Sequence, residues 1–196
     1  MKKSNGKLIT KFKIAVFISG RGSNLKSILK NSNYQKTNYK VSLVVSNKKD
    51  ALGLLIAKKN NIKTIISDFD KSKIKEKKVL KILKINKIHL ICLAGYMKIL
   101  SKNFIKSFDG KIINIHPSLL PKYKGLRTHE RVLKNKDKFT GCTVHHVTKH
   151  LDSGKIIFQS KIRILKGDTA KIIEKKVRKI EHKIYPLAIN KVLSNY

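Results

Sequence analysis

The stretch that decides the fold is residues 111–121, which read Lys-Ile-Ile-Asn-Ile-His-Pro-Ser-Leu-Leu-Pro. Its isoleucines predict a strand, and Pro117 ends that strand because proline has no N–H to donate to a neighbouring strand. Asn114 and His116 stand two residues apart, so their side chains share one face of the strand. Ligands bind at the carboxyl ends of strands in α/β folds, and an amide beside an imidazole suits a reaction in which negative charge develops on a carbonyl oxygen.

Strand and helix patterns alternate on the N-terminal side of this stretch. Apolar strands are predicted at 12–19, 39–46, 63–66 and 88–94. The helix after the first strand begins near Leu25, and the next is predicted to run from an Asp50 N-cap to about residue 60. A third helix is predicted at 71–86, and the residues expected to point inward from it are Ile74, Leu80 and Leu83. The alternation predicts an open, twisted, mostly parallel α/β sheet with helices on both faces and a Rossmann-like N-terminal half.

The C-terminal side of the stretch adds a short helix at 129–136 and a hairpin-like pair of strands at 141–148 and 155–164. Asp168 and Thr169 are predicted to start a long amphipathic helix, which Pro186 is expected to kink or interrupt. We therefore expect one domain over residues 12–196, preceded by a disordered basic extension at 1–11.

The sequence is strongly basic, with a formal net charge of +35 from 46 Lys and Arg residues against 11 Asp and Glu. Such a charge favours an anionic partner, either nucleic acid or a phosphorylated metabolite. Only five of the basic residues are arginines, however, and lysine accompanies isoleucine and asparagine along the whole chain. This pattern indicates a compositional bias rather than a nucleic-acid-binding patch, because a nucleic-acid reader would favour arginine.

The composition also suggests where the chain works. There is no run of 18 apolar residues and no recognisable signal peptide, so we expect a cytoplasmic protein without a membrane segment. Cys92 and Cys142 lie in apolar surroundings without the spacing of a metal pair, and two free buried thiols fit a reducing compartment. The histidines likewise lack a convincing metal-ligand spacing, so no metal site is predicted.

Residues 114–125 read Asn-Ile-His-Pro-Ser-Leu-Leu-Pro-Lys-Tyr-Lys-Gly and resemble the signature of the folate-dependent formyltransferases. The resemblance extends over nearly the whole chain, from Phe12 to about Leu187. It implies the formyltransferase fold and an enzyme that transfers the formyl group of 10-formyltetrahydrofolate to an amine. It also makes 10-formyltetrahydrofolate a co-substrate rather than a bound prosthetic group.

A glycine-rich turn follows the first strand, where residues 19–25 read Ser-Gly-Arg-Gly-Ser-Asn-Leu. Strand, glycine turn and helix together can hold a phosphate on backbone amides, with Ser23 or Asn24 capping the helix, although an ordinary turn is about as frequent. The turn matches neither the dinucleotide-binding pattern nor the P-loop. It is similar to the loop with which members of this family hold the phosphate of 5′-phosphoribosylglycinamide, which implies substrate contacts from Gly22, Ser23 and Asn24.

The last helix carries Arg178 and Glu181, which by themselves fit a solvated helix face. The resemblance implies that Glu181 binds the amine side of phosphoribosylglycinamide and that Arg178 suits its phosphate or a hydroxyl. This substrate belongs to de novo purine biosynthesis.

Residues 145–154 read His-His-Val-Thr-Lys-His-Leu-Asp-Ser-Gly, and a Leu-Asp-Ser-Gly segment is by itself more often a turn than a catalytic site. The resemblance implies that Asp152 pairs with His116. A carboxylate beside an imidazole raises the imidazole pKa, so we expect a protonated His116. Together with Asn114 it would stabilise the oxyanion of a tetrahedral intermediate, and no side-chain nucleophile is needed.

Residues 95–100 read Gly-Tyr-Met-Lys-Ile-Leu, a plain apolar turn that resembles the segment lining the family's folate pocket, with Lys98 where the family usually has arginine. The implied folate contacts from this segment and from the strand carrying the motif are Met97, Lys98, Ile99, Leu100 and Asn114. Those from the loop around Asp152 are Thr148, Lys149, His150, Leu151 and Asp152 itself. Lys73 is the candidate contact for the glutamate tail of the folate.

Two other members of the wider formyltransferase group stay open as alternatives. Transfer to methionyl-tRNA would suit the basic charge but normally needs an additional C-terminal domain, and formyltetrahydrofolate hydrolysis normally needs an N-terminal regulatory domain. A basic nucleic-acid-binding module without catalysis rests on the charge alone. We expect two small-molecule substrates, no nucleic-acid partner, and a monomer or homodimer.

Overall fold

The computed structural model describes residues 11–34, 37–68 and 73–196. The predicted basic extension at 1–11 lies almost entirely outside the described residues. Lys73 is the first residue of a helix, but its side chain lies outside the described part of the structure.

The described strands form one seven-stranded sheet in the order β3-β2-β1-β4-β5-β6-β7. Strands β1 to β5 pair in parallel, whereas β6 is antiparallel to both β5 and β7. The predicted parallel sheet with an added hairpin is therefore confirmed. The bounds are β1 Phe12–Ile18, β2 Tyr39–Ser46, β3 Lys63–Ile66, β4 Leu90–Leu93, β5 Lys111–His116, β6 Phe139–His146 and β7 Ile156–Arg163.

The helices are α1 Ser23–Ser32, α2 Leu52–Lys59, α3 Lys73–Ile85, α4 Lys102–Ser107, α5 Thr128–Lys134 and α6 Ala170–Leu193. Helix α4 was not predicted, because its six residues are too few to show a clear helical period. Among the described helices, none is both long and apolar enough to cross a membrane.

Both faces of the sheet are buried, as the alternation of strand residues on β1 shows. Ile14, Val16 and Ile18 pack into a core with α1, α2 and α6, whereas Ala15 and Phe17 pack into a second core with α3 and α4. This period of two is what a strand covered on both faces requires. The expectation of helices on both faces is confirmed.

Two local predictions about helices α2 and α3 are wrong. Helix α2 has Ala51, not Asp50, as its N-cap, and the Gly53 amide at its start donates to the Gly20 carbonyl (3.0 Å), so no side-chain cap is needed there. Ile74 is 78% exposed. The inward face of α3 is set by Val79 and Leu83, and Ile74, five residues before Val79, lies about 140° around the helix from it.

Helix α6 continues through Pro186 instead of breaking there. Proline cannot donate to the carbonyl one turn earlier, which is that of His182. The Ser27 hydroxyl of α1 donates to this carbonyl instead, at 2.5 Å. The tertiary contact between α1 and α6 therefore satisfies the group that the proline leaves free.

The sheet brings several chain segments to one edge. Strands β1, β4 and β5 are parallel, so the residues that follow their carboxyl ends meet there: the glycine turn after β1, the 95–100 segment after β4, and the end of β5 itself. Antiparallel β6 then places His145 directly opposite Asn114. The predicted site residues converge because of this topology.

The two glycines of the turn after β1 have different roles. Gly22 is the N-cap of α1 in a left-handed conformation, with φ 74°, and a Cβ built on it would lie 2.6 Å from the Gly53 Cα at the start of α2. Gly20 has no atom within 4 Å of the corresponding position. Because the cap is Gly22, the expectation that Ser23 or Asn24 caps α1 is wrong. Close packing of α2 requires Gly22 whether or not a ligand is bound.

We predict that Gly22→Ala lowers the free energy of unfolding by about 3 kcal/mol, since it adds left-handed strain to a clash with backbone. Gly20→Ala is the matched control and should change it by no more than about 0.5 kcal/mol. Chemical denaturation of both variants measures the difference. Equal losses in the two variants would contradict this account.

Candidate active site

A cavity of about 750 Å³ opens at the carboxyl edge of the parallel strands. It is lined by the glycine turn, the 95–100 segment, the end of β5, residues 125–129, the loop between β6 and β7, and the first half of α6. Every predicted site residue except Lys73 lies on its wall, and this volume lies within the range usual for small-molecule sites.

His116 and Asp152 meet at the base of this cavity. The His116 Nδ1 lies 3.4 Å from the Asp152 Oδ2, and the two residues are 6% and 8% exposed. The other ring nitrogen, Nε2, lies 2.8 Å from the carbonyl oxygen of Tyr123, which can only accept, so Nε2 carries a hydrogen. Nδ1 is therefore the nitrogen left for proton transfer, with a carboxylate beside it.

The expected elevation of the His116 pKa is not found in the ligand-free chain. Burial lowers the pKa of His116, and it outweighs the Tyr123 hydrogen bond and the Asp152 carboxylate, which both act to raise it. The net direction in the ligand-free chain is therefore opposite to the predicted one, although the Asp152 carboxylate acts in the predicted direction. The reason is desolvation, which a sequence motif does not reveal.

Asp152 is held ionised by its neighbours. Burial by itself would raise the pKa of Asp152, but its polar neighbours, among them the Gly125 amide, hold that pKa below its usual value. The Gly125 amide donates to Oδ2 at 2.9 Å. Asp152 has a left-handed backbone, with φ 46°, which turns its side chain inward from the loop.

Asn114 makes no hydrogen bond to His116 but joins the same group of side chains through His145. Its Nδ2 lies 3.3 Å from the His145 Nε2, which in turn lies 3.6 Å from the Asp152 Oδ1. The four side chains form one continuous series from the Asn114 amide to the His116 ring.

A second polar pair lies where the glycine turn meets α6. The Asn24 Nδ2 donates to the Glu181 Oε2 at 2.9 Å, and the residues are 7% and 9% exposed. Burial raises the pKa of Glu181, with the Asn24 hydrogen bond and the Arg178 charge acting against it. Asn24 Oδ1 is buried with no hydrogen-bond partner among the described residues. A buried carboxylate beside an unsatisfied amide oxygen suits a ligand that carries N–H or O–H donors.

Arginine is concentrated at the cavity. Three of the five arginines in the chain line it, namely Arg21, Arg127 and Arg178, and Arg178 pairs with Glu174 on the same helix. Among the lysines that the structure describes, which are far more numerous, only two do so. Arginine binds phosphate and carboxylate through two parallel hydrogen bonds, so its placement here favours an anionic ligand.

The segment after β4 supplies apolar surface at the cavity. Met97 and Ile99 are 65% and 78% exposed, and the Met97 amide donates to the Ser19 hydroxyl at 2.7 Å, which ties this segment to the glycine turn. Lys98 lies 3.9 Å from Asp68. The exposed apolar side chains suit a flat ligand that covers them.

Sequence reasoning missed several residues of the site. Arg21, Arg127, His129 and His145 all line the cavity without having been assigned a role. His145 stood inside a recognised motif, and its strand position opposite Asn114 was the available signal. Within residues 11–34, 37–68 and 73–196, no group of three or more His, Cys, Asp or Glu side chains is arranged to hold a metal ion.

Comparison with known proteins identifies the class of protein that this fold and cavity define. The family model described as "Formyl transferase" matches residues 12–189, so the chain belongs to the formyl transferase family.

Individual members of this family are similar to the chain over most of its length. The chain is 42% identical to phosphoribosylglycinamide formyltransferase of Escherichia coli K12 over 180 residues, which covers 90% of this chain and 85% of that protein. It is also 42% identical to the trifunctional purine biosynthetic protein adenosine-3 of Gallus gallus, but spans only 19% of that longer protein. The crystal structure of phosphoribosylglycinamide formyltransferase from Brucella melitensis superposes with a TM-score of 0.87 at 41% identity, covering 92% of this chain and 95% of that one.

We predict that Asp152→Asn lowers the pKa of His116 further, because it removes a negative charge that acts to raise it. Titration of the His116 ring signals by NMR measures this shift. Asp168→Asn, which removes a carboxylate bound to Leu165 and Lys176, is the control and should leave His116 unchanged. A His116 pKa that rises in Asp152→Asn would contradict the proposed contact.

The raised pKa of Glu181 predicts how the free energy of unfolding depends on pH. A carboxyl whose pKa is raised on folding stabilises the folded chain when it is protonated, and that stabilisation is lost as the pH rises through the folded pKa. Glu181→Gln, which cannot ionise, should therefore have the larger free energy of unfolding above that pKa. The advantage should shrink as the pH falls through it.

Urea unfolding at a series of pH values measures both curves, with the exposed Glu130→Gln on α5 as the control for the substitution itself. A deficit of the Gln variant that grows as the pH rises through the pKa of Glu181 would contradict this account, because it would show that the charge of Glu181 stabilises the fold.

Proposed function

We propose that the chain is a phosphoribosylglycinamide formyltransferase, which transfers the formyl group of 10-formyltetrahydrofolate to the amine of 5′-phosphoribosylglycinamide in de novo purine biosynthesis. The observation that carries the proposal is the cavity itself. It combines the Asn114, His116 and Asp152 series with a separate polar pair, Asn24 and Glu181, and an arginine-rich wall.

Each region of the cavity fits a part of the two substrates. The glycine turn and its neighbouring arginines suit the phosphate, and Gly22, Ser23 and Asn24 carry that role in the proposal. Glu181 suits the amine side and Arg178 a hydroxyl or the phosphate. The folate ring would cover the apolar surface of the 95–100 segment and contact the loop between β6 and β7, at Met97, Lys98, Ile99, Leu100, Asn114, Thr148, Lys149, His150, Leu151 and Asp152.

The reaction we propose is direct transfer without a covalent enzyme intermediate. The substrate amine attacks the formyl carbon, a C–N bond forms, and the carbonyl oxygen becomes an oxyanion that accepts a hydrogen bond from the Asn114 amide. In the proposed reaction the His116 ring is neutral when the amine attacks, and its Nδ1 takes a proton from that amine. Asp152 stabilises the imidazolium that results.

The same proton completes the transfer. Protonated Nδ1 first donates a hydrogen bond to the oxyanion. It then transfers its proton to the leaving folate nitrogen, as the bond between that nitrogen and the formyl carbon breaks. The products are the formylated amide and tetrahydrofolate, and His116 returns to its neutral state. The chain holds the two substrates in position and provides one proton relay. The proton removed from the amine is returned to the folate nitrogen.

The proposal also covers the cellular location, the partners and the active species of the enzyme. Both proposed substrates are small soluble metabolites, so we place the reaction in the cytoplasm, without a metal ion or nucleic-acid partner. The active species in the proposal is a monomer or a homodimer, and Lys73 is the candidate contact for the glutamate tail.

We predict that His116→Ala lowers the rate of formyl transfer about 100- to 1000-fold, because it removes the proton relay and a hydrogen-bond donor from the intermediate. Loss of the formyl donor is followed with phosphoribosylglycinamide and 10-formyltetrahydrofolate, with Asp152→Asn measured alongside. Near-normal turnover by His116→Ala would contradict the mechanism.

Two outcomes for the wild type would overturn the proposed substrate. Consumption of the donor without the amine would indicate a hydrolase. No turnover, together with RNA binding that weakens steeply with salt, would indicate a nucleic-acid-binding protein.

A further inference from the structure

His145 is a buried polar residue of the site to which the mechanism above gives no role. It is 2% exposed and lies on β6 directly opposite Asn114 of β5. Residues opposite each other in an antiparallel pair have side chains close enough to interact. Its ring therefore lies between the Asn114 amide and the Asp152 carboxylate, and it contacts both.

The hydrogen bonds of His145 determine which ring nitrogen carries the hydrogen. Nδ1 lies 2.9 Å from the backbone carbonyl oxygen of His146, which accepts only. Nδ1 must then be the donor, and in the neutral ring Nε2 is left as an acceptor.

The distances from Nε2 show whether it is hydrogen-bonded to Asn114 or to Asp152. The Asn114 Nδ2 lies at 3.3 Å and the Asp152 Oδ1 at 3.6 Å, and the longer distance is outside hydrogen-bonding range. Nε2 therefore accepts from the amide of Asn114. The amide has two hydrogens on Nδ2, so one remains for an acceptor in the cavity.

We infer that His145 is a positioning residue: its Nδ1–H tautomer fixes the orientation of the Asn114 amide, so that Nδ2 rather than Oδ1 serves the oxyanion. The inference rests on the proposed function, since it concerns the donor used in that reaction. His145 acts through Asn114 and does not itself exchange a proton with the substrate.

The reason for such a residue lies in the symmetry of an amide group. Rotation by half a turn about the last side-chain bond exchanges Oδ1 for Nδ2 with almost no change of shape. In the reversed orientation the lone pairs of Oδ1 would face the oxyanion and repel it. A neutral, acceptor-only contact at Nε2 favours one orientation over the other.

The kinetic test compares two substitutions at His145. His145→Met keeps the bulk but removes the acceptor, and we expect kcat to fall about fivefold to tenfold, the usual worth of one neutral hydrogen bond. The KM of phosphoribosylglycinamide should stay unchanged, because the proposal assigns neither His145 nor Asn114 a contact with it. His145→Gln keeps a carbonyl acceptor and should recover most of kcat. His146→Met is the matched control, since only the backbone carbonyl of that residue takes part.

A double-mutant cycle with Asn114→Ala separates positioning from a structural role. If His145 acts only through Asn114, then His145→Met should have no further effect on kcat in the Asn114→Ala background. A loss of the same size in both backgrounds would overturn the inference.

A spectroscopic measurement on the unmodified chain tests the tautomer without relying on any variant or on activity. Histidine ¹H–¹⁵N correlation spectra should show a protonated Nδ1 and a bare Nε2 for His145. A hydrogen on Nε2 would overturn the inference even if formyl transfer is observed. Conversely, the expected tautomer in a chain that transfers no formyl group would mean that the proposed function, not the orientation of Asn114, is wrong.

Discussion

The site depends on one buried carboxylate, that of Asp152. A carboxylate removed from water is costly unless hydrogen bonds and opposite charge compensate it. Here the Gly125 amide donates to it, and the His116 and His145 rings flank it. These partners come from three different segments, so satisfying one charge also holds β5, β6 and two loops together. In the proposed reaction this arrangement places a stabilising charge beside the proton relay.

The sheet topology makes those partners meet. Parallel pairing of β1, β4 and β5 places three loop segments at one edge, and the antiparallel turn to β6 brings a fourth segment back across the end of β5. Pro117 ends β5 where its last side chains face the cavity. The position of the site is therefore set by where the strands end, and backbone hydrogen bonding between strands determines where they end.

Electrostatics at the site differ from those of the surface. Lysine carries most of the +35 charge, yet arginine predominates among the basic residues of the cavity. A flexible, strongly hydrated ammonium suits a solvated surface, whereas a planar guanidinium suits oriented contact with an anion. In the same cavity, burial lowers the pKa of His116 and raises that of Glu181, so for both groups burial disfavours the charged form.

By itself the sequence determined the class of fold, the strands and a set of candidate site residues that line one cavity. Strand alternation is local, and the 114–125 motif lies in one continuous stretch. Only the tertiary structure decided the direction of the His116 pKa shift, the position of His145 between Asn114 and Asp152, the reason for Gly22 and the continuity of α6 through Pro186. Each of these depends on burial or on a partner distant in the chain, as between Asn24 and Glu181, which lie 157 residues apart. Desolvation and cross-strand contact arise from packing, and no local pattern of residues encodes them.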